Sequence, residues 1–260
     1  MHTQAKNPRQ QESSRTSYLK RALGLALAAL LLAATTAPQK AQAQIFDDHI
    51  YTMVLFDQLE YAPGPSERPI SLEATSWVGG DLNRLWLRAE GEQSTVNGFS
   101  GEGEVELEAL YGRLITPFFD AVGGARVDTR WGEDPATRGF LAVGVQGIAP
   151  YSFEVEPTLY VSHEGDVSAE LTAAYGFLFT QRLVLEPELE LSAAVQSVPE
   201  WGVGSGVNDL GLGLRLRYEI SRKFAPYVGY QQNWVFGETA DLAGGDASNG
   251  AFVFGVRLWR

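Results

Sequence analysis

The chain has 260 residues, with 32 acidic residues, 20 basic residues and no cysteine. Residues 1–43 hold six of the basic residues and one acidic residue, so the remainder carries 14 basic and 31 acidic residues, a net charge of −17. So acidic a chain lacks the positive surface that attracts phosphate backbones, which excludes a nucleic-acid partner. Without cysteine, disulfide bonds do not stabilise the fold, and the length suits one domain.

The N-terminal segment has the pattern of a secretory signal peptide. Lys20 and Arg21 precede an apolar run over residues 22–37, and Ala41-Gln42-Ala43 matches a cleavage site of small residues. A transmembrane helix is the alternative, but the run is shorter than the ~20 residues that a membrane span needs. We therefore predict a cleaved signal peptide over residues 1–43 and a short periplasmic segment over residues 44–52.

Apolar and polar residues alternate along most of the remaining chain. In residues 83–92, leucine and alanine alternate with Arg84, Trp86, Arg88 and Glu90, and this period of two indicates a β-strand. The same pattern predicts about twelve strands, which cover 53–61, 69–78, 83–92, 104–115, 118–130, 137–148, 151–161, 167–179, 182–196, 208–220, 224–236 and 250–259.

Short connections alternate with longer, more polar ones, which is typical of outer-membrane barrels with short periplasmic turns and longer outer loops. Closure is required because lipid offers no hydrogen-bond partner to an open sheet edge. We therefore predict an all-β fold, an antiparallel up-and-down transmembrane barrel over residues 53–260 in the outer membrane of a Gram-negative cell. Its periplasmic aromatic girdle is predicted to comprise Tyr111, Phe118, Phe119, Tyr151, Phe153, Phe177, Phe179, Phe224 and Tyr227.

A soluble periplasmic β-sandwich or lipocalin-like barrel is the competing fold. In that case the apolar face would point inward and the charged face would be solvated. Many of the strands exceed the ~5–6 residues usual in a sandwich, and the polar face carries many charges of both signs. Both features favour the membrane barrel.

In a membrane barrel, the apolar face contacts lipid and the charged face lines the lumen. The residues predicted to line the lumen are Arg84, Trp86, Arg88, Glu90, Glu104, Glu106, Glu108, Glu154, Glu156, Glu186, Glu188, Glu190, Arg215 and Arg217. Two interpretations stay open and are compatible with each other. The charges brace the barrel through ion pairs between strands, or the carboxylates line a path for cations.

Sequence motifs for catalysis are scarce, since the chain contains no HExxH, Walker or GxSxG motif. His163 lies beside Glu164 and Asp166, which raises the alternative of an outer-membrane hydrolase. A loop histidine without a catalytic role is the more common situation. We therefore predict a protein that is not an enzyme.

Several long segments resemble the copper resistance protein B family, and the resemblance extends from about Ile45 to Trp259. They are IYTMVLFDQLEY (50–61), SWVGGDLNRLWLRAEGE (76–92), VELEALYGRLITPFFDAVGGARVD (105–128), GVQGIAPYSFEVEPTLYVS (144–162), YGFLFTQRLVLEPELEL (175–191) and GLRLRYEISRKFAPYVGY (213–230). The resemblance implies an outer-membrane barrel that binds copper and contributes to copper resistance or homeostasis. It also implies a periplasmic copper-binding protein as a partner, besides copper ions and membrane lipid.

The segment before the barrel departs from the family pattern. Many members carry a stretch rich in methionine and histidine there, whereas this chain has only QIFDDHIYTM over residues 44–53. Asp47, Asp48, His49 and Met53 are the candidate copper ligands at this end. One histidine and one methionine do not make a high-affinity thioether site, so the lumenal carboxylates also stay candidates. A general channel or structural barrel without metal specificity is the alternative function.

Overall fold

Twelve long antiparallel strands form the protein in the computed structural model, which describes residues 49–64, 69–95, 102–132, 134–245 and 248–260. The predicted signal peptide and residues 44–48 lie outside these ranges. The strands are β1 (Tyr51–Tyr61), β2 (Pro69–Gly79), β3 (Asn83–Ser94), β4 (Gly103–Thr116), β5 (Phe119–Trp131), β6 (Ala136–Ala149), β7 (Phe153–Ser162), β8 (Val167–Ala174), β9 (Leu183–Ala194), β10 (Gly206–Tyr218), β11 (Phe224–Val235) and β12 (Asn249–Trp259).

The sheet closes on itself because β12 pairs with β1. Every strand pairs with its neighbours in the chain, and the closing ladder runs from Leu55 opposite Trp259 to Tyr61 opposite Phe254. Two further hydrogen bonds join Val54 and Arg260, with N–O distances of 3.0 and 2.8 Å. Closure gives the backbone groups of both terminal strands partners, as lipid requires. The prediction of an antiparallel barrel of about twelve strands is confirmed.

The two faces of the sheet are those of a membrane protein. Apolar side chains point outward at mid-barrel, where Leu107, Leu141 and Phe252 are exposed, Leu141 to 67%. Inside, charged side chains such as Glu60 and Arg215 are buried. A soluble barrel would carry the opposite arrangement, with its apolar face inside. The soluble alternative is therefore wrong.

The connections fix the orientation of the barrel. The tight turns at residues 80–82, 117–118 and 150–152 lie at one end, and the longer connections, which include residues 195–205 and 236–245, lie at the other. Outer-membrane barrels keep their short turns in the periplasm, so β1 begins and β12 ends on that side. A six-residue helix, α1 (Gly237–Leu242), lies in the last outer connection. Among the described residues, no helix has the length and apolar character needed to cross a membrane.

Aromatic side chains surround the periplasmic end, as expected for interfacial anchors. Tyr111, Phe118, Tyr151, Phe153, Phe177, Phe179 and Phe224 are all exposed. The assignment of Tyr227 to this girdle was wrong, because its side chain is buried and only 6% exposed. Tyr227 lies opposite Gly255 of β12, and it shares the inward face of β11 with Gly229 and Gln231.

The predicted strand over residues 167–179 is shorter than expected. β8 ends at Ala174, which pairs with Glu188 of β9, and only Phe177 and Leu178 resume the same ladder. Between them the chain lies opposite Pro187, whose carbonyl accepts a bond from Tyr175 N at 3.1 Å. Proline has no N–H and cannot donate the second hydrogen bond of this pair. The ladder is therefore interrupted at this point.

The lipid-facing surface gives a first prediction. Leu141→Arg places a charge near the middle of β6 and should lower the free energy of unfolding by about 2–4 kcal/mol. Thr137→Arg is the matched control, since Thr137 is exposed on the same face of β6 near its outer end and should cost about 0–1 kcal/mol. Urea unfolding from lipid vesicles measures both, and equal losses would contradict a membrane-spanning surface.

Candidate functional site: the charged interior

Arg215 forms the most buried of the charged contacts. From β10, its Nε donates to Glu60 Oε1 at 2.6 Å, its Nη1 donates to Glu188, and its Nη2 donates to Gln58 Oε1 at 2.6 Å. Glu60 and Gln58 belong to β1, which is separated from β10 by β11 and β12. The contacts therefore reach across the interior. Arg215 and Glu60 are only 5% and 3% exposed, so the charges are compensated mainly by each other.

Arg126 on β5 is the centre of a second group. Its guanidinium contacts Glu106 at 2.5 Å, Asp128 at 2.6 Å and Glu170 at 2.9 Å. Its Cζ atom also lies 4.7 Å from the ring centroid of Tyr160, a cation–π distance. Glu170 lies on β8, so this group too joins strands that are not neighbours in the ring.

Further ion pairs surround the interior toward the periplasmic end. Their members come from seven strands. The N–O distances run from 2.6 to 3.3 Å for the pairs Arg88–Glu156, Arg257–Asp57, Arg217–Glu186 and Arg84–Asp120. Beside them lies an apolar cluster of Leu110, Val122, Ala142 and Tyr160, against which Trp86 packs. This part of the barrel is filled by packed side chains.

The outer half contains a cavity of about 460 Å³ whose lining includes many carboxylates. Glu73 on β2 lies directly opposite Glu90 on β3, and Glu190 of β9 lines the same cavity. A smaller cavity of about 130 Å³ is also lined by these three residues. Within the part of the chain that the structure describes, none of the three forms an ion pair within 4.0 Å.

The other acidic residues of the predicted lumenal set have varied surroundings. Glu108 accepts a hydrogen bond from Tyr160 Oη at 2.7 Å and lies 3.8 Å from Arg88. Glu104 lies opposite Arg130, and Glu154 lies opposite Ala174. The predicted set therefore includes residues held by arginine and residues that are not.

Sequence reasoning missed several residues of the interior. Glu60 and Gln58 were missed because a β-bulge between Phe56 and Gln58 adds a residue and changes which positions of β1 face inward. Glu73 was missed because it is the single charge in β2. The alternation of the polar residues Ser71, Glu73 and Thr75 could have indicated that Glu73 faces the interior.

The candidate ligands near the N-terminus are only partly within the described residues. His49 is exposed and its ring lies 6.4 Å from that of Tyr51, while Met53 lies opposite Trp77 in the β1–β2 ladder. Asp47 and Asp48 lie outside the described ranges. Among the described residues, no group of three or more His, Asp or Glu side chains is arranged to hold a metal ion. The N-terminal copper site stays a prediction.

His163, the candidate of the hydrolase alternative, lies in an outer loop. Its Nδ1 is 3.3 Å from the carbonyl oxygen of Gly139, and the contact is exposed. The ring therefore contacts the backbone of the neighbouring strand.

The Arg215 contacts give a second prediction. Arg215→Met leaves the buried Glu60 carboxylate without its cation and should lower the free energy of unfolding by about 3–5 kcal/mol. Adding Glu60→Gln should restore a large part of the loss, because the buried charge is then removed. Urea unfolding in lipid vesicles, followed by tryptophan fluorescence, measures the three proteins.

Arg257→Met is the control for this prediction. Arg257 and its partner Asp57 are 26% and 29% exposed, so their ion pair is better hydrated and should contribute about 1 kcal/mol or less. If Arg215→Met costs no more than Arg257→Met, the buried contact does not stabilise the barrel.

Comparison with known proteins places the chain in a family. Residues 50–260 match the family model described as Copper resistance protein B precursor (CopB). The copper resistance protein B of Escherichia coli is 41% identical over 220 residues, which cover 83% of this chain and 71% of that protein. A copper resistance protein B homolog of Pseudomonas syringae pv. tomato is 38% identical over 219 residues, which cover 83% of this chain and 72% of that protein.

Among solved structures, the NanC porin is similar in fold. The TM-score is 0.50 at 11% sequence identity, over 80% of this chain and 99% of that one. At so low an identity the likeness concerns the architecture only. Together with the closed sheet and the apolar outer surface, the family match identifies the chain as an outer-membrane β-barrel of the copper resistance protein B family.

Proposed function

We propose that this barrel binds copper ions, chiefly Cu(II), in its acidic interior and thereby contributes to copper resistance or homeostasis at the outer membrane. Family membership supports the link with copper. The observation that carries the proposal is the group formed by Glu73, Glu90 and Glu190, three carboxylates that line one cavity and have no ion-pair partner among the described residues. Neighbouring negative charges without a cation favour the entry of one.

The donor atoms favour Cu(II) over Cu(I). Carboxylate oxygen and imidazole nitrogen suit Cu(II), whereas Cu(I) prefers thiolate and thioether sulfur. The chain has no cysteine, and Met53 is its only methionine beyond the predicted signal peptide. For a given set of oxygen and nitrogen ligands, Cu(II) binds more tightly than the other divalent ions of its row. An acidic interior is therefore compatible with some preference for copper.

Binding in the interior is proposed to be weak and exchangeable. The described residues contain no ready three-ligand metal cluster, and arginines already hold Glu106, Glu170, Glu186 and Glu188. Such an interior suits movement or transient holding of copper better than storage. At the periplasmic end, Asp47, Asp48, His49 and Met53 would exchange copper with a periplasmic copper-binding protein, and lipid surrounds the barrel. No catalytic step is part of this proposal.

A barrel without metal specificity is the alternative, and the extensive ion pairing of the interior favours it. The third prediction separates the two. Changing Glu73, Glu90 and Glu190 together to glutamine should weaken Cu(II) binding to the refolded barrel about tenfold or more, because the three negative charges are lost. Calorimetric titration measures the affinity, and electron paramagnetic resonance reports whether oxygen atoms coordinate the ion.

The matched control removes three charges from exposed outer positions through Glu102→Gln, Glu164→Gln and Asp241→Asn. This protein should bind Cu(II) as the unaltered barrel does. If both triple variants bind equally well, the interior carboxylates are not the ligands. Copper sensitivity of a deletion strain, complemented by each protein, then tests the cellular role. Unchanged tolerance and unchanged cell copper on deletion would contradict it.

A further inference from the structure

The outer connection between β9 and β10, residues 195–205, is a small ordered hairpin. Val198 and Val203 exchange backbone hydrogen bonds, with N–O distances of 2.7 and 3.2 Å, and Trp201 N donates to Val198 O at 2.9 Å. The chain reverses at Gly202, whose φ of 69° lies in the left-handed region that glycine adopts most easily. The hairpin therefore has a shape of its own.

The tip of the hairpin contacts the far side of the barrel mouth. Arg130, at the outer end of β5, donates from Nη2 to Glu200 O at 2.5 Å, and its Cζ atom lies 4.6 Å from the ring centroid of Trp201. Arg138 of β6 approaches the same ring at 5.9 Å. On the shorter way around the ring, β6, β7 and β8 separate β5 from β9, the strand from which the hairpin starts. The hairpin therefore spans the outer mouth.

Helix α1 holds the other flank of the hairpin. Gly204 N donates to Thr239 Oγ1 at 2.8 Å, and Glu238 Oε2 accepts from Ser205 N and Oγ at 3.0 and 2.9 Å. These hydrogen bonds lower the pKa of the exposed Glu238 carboxyl, and the bond from Ser205 N has the largest effect. The acceptor is therefore ionised at neutral pH, and two outer connections act as one unit.

The hairpin separates the acidic cavity from a more open outer space. Trp201 and Val203 line the cavity of about 460 Å³ that contains Glu73, Glu90 and Glu190. Pro199 and Glu200 line a different cavity of about 610 Å³, together with Arg130 and the outer ends of β3 and β4. The two sides of one short hairpin thus face two cavities.

We propose that residues 195–205 are a lid over the outer mouth of the barrel, and that the contact between Arg130 and Trp201 is the latch that controls entry of small solutes into the acidic cavity. The latch consists of one cation–π contact and one hydrogen bond to a backbone carbonyl, and both are weak enough for thermal opening. The lid concerns access in general, so it does not depend on copper being the solute.

The absence of cysteine allows a direct measurement of access. Thr172→Cys places one thiol in the lining of the acidic cavity, and a small neutral reagent, hydroxyethyl methanethiosulfonate, modifies it without a charge effect. Adding Trp201→Ala should raise the modification rate of the refolded barrel about threefold to tenfold, because the cation–π contact of the latch is lost. Heat-dependent migration in gels verifies that each protein is folded.

Trp131→Ala is the matched control, because Trp131 is likewise a tryptophan at the outer end of the barrel. Its Nε1, however, donates to Gln93 on β3. It should leave the rate unchanged. Glu238→Ala with Thr239→Ala removes the anchor on the other flank and should raise the rate as Trp201→Ala does. If both lid variants react at the rate of Thr172→Cys alone, the lid proposal is wrong. The reagent contains no metal, so a failure of copper binding leaves this result unaffected.

Discussion

The cost of burying charge inside the barrel is the constraint on which the rest of the structure depends. The interior of a closed barrel of twelve strands is narrow, and a charge transferred there loses most of its hydration. Arg215 shows the solution, because carboxylates of β1 and β9 approach its guanidinium from both sides. Contacts of this kind join strands far apart in the sequence and act together with the backbone ladders that close the ring.

Pairing also divides the interior into two parts. Toward the periplasm, arginines hold Asp57, Asp120, Glu156 and Glu186, and these carboxylates have their cations already. In the outer half, Arg126 holds Glu106 and Glu170. Glu73, Glu90 and Glu190 line a cavity there and form no ion pair within the described part of the chain. An excess of negative charge in a confined space attracts cations from the outer side. We therefore propose that the bracing and the cation-path interpretations apply to different carboxylates of the same lumen.

The sequence predicted the barrel because alternation is a local property of each strand. Residues 83–92 show it plainly, since Leu85 and Leu87 are exposed to the lipid side while Arg84 and Arg88 make interior contacts. The features that were missed depend on pairing between strands. The bulge between Phe56 and Gln58 turned Glu60 inward, and Pro187 interrupted the ladder of β8. Tyr227 was assigned to the girdle from its nearness to a turn. The latch between Arg130 and Trp201 depends on the path of a loop, which alternation does not describe.

The central claim is that the unpaired carboxylates of the outer cavity are where copper binds. Anomalous diffraction from crystals soaked in Cu(II), recorded at the copper absorption edge, tests it most directly. The account predicts a copper peak inside the outer half of the barrel, among the side chains of Glu73, Glu90 and Glu190. Copper peaks confined to the N-terminal residues around His49, or to the protein surface, would contradict it.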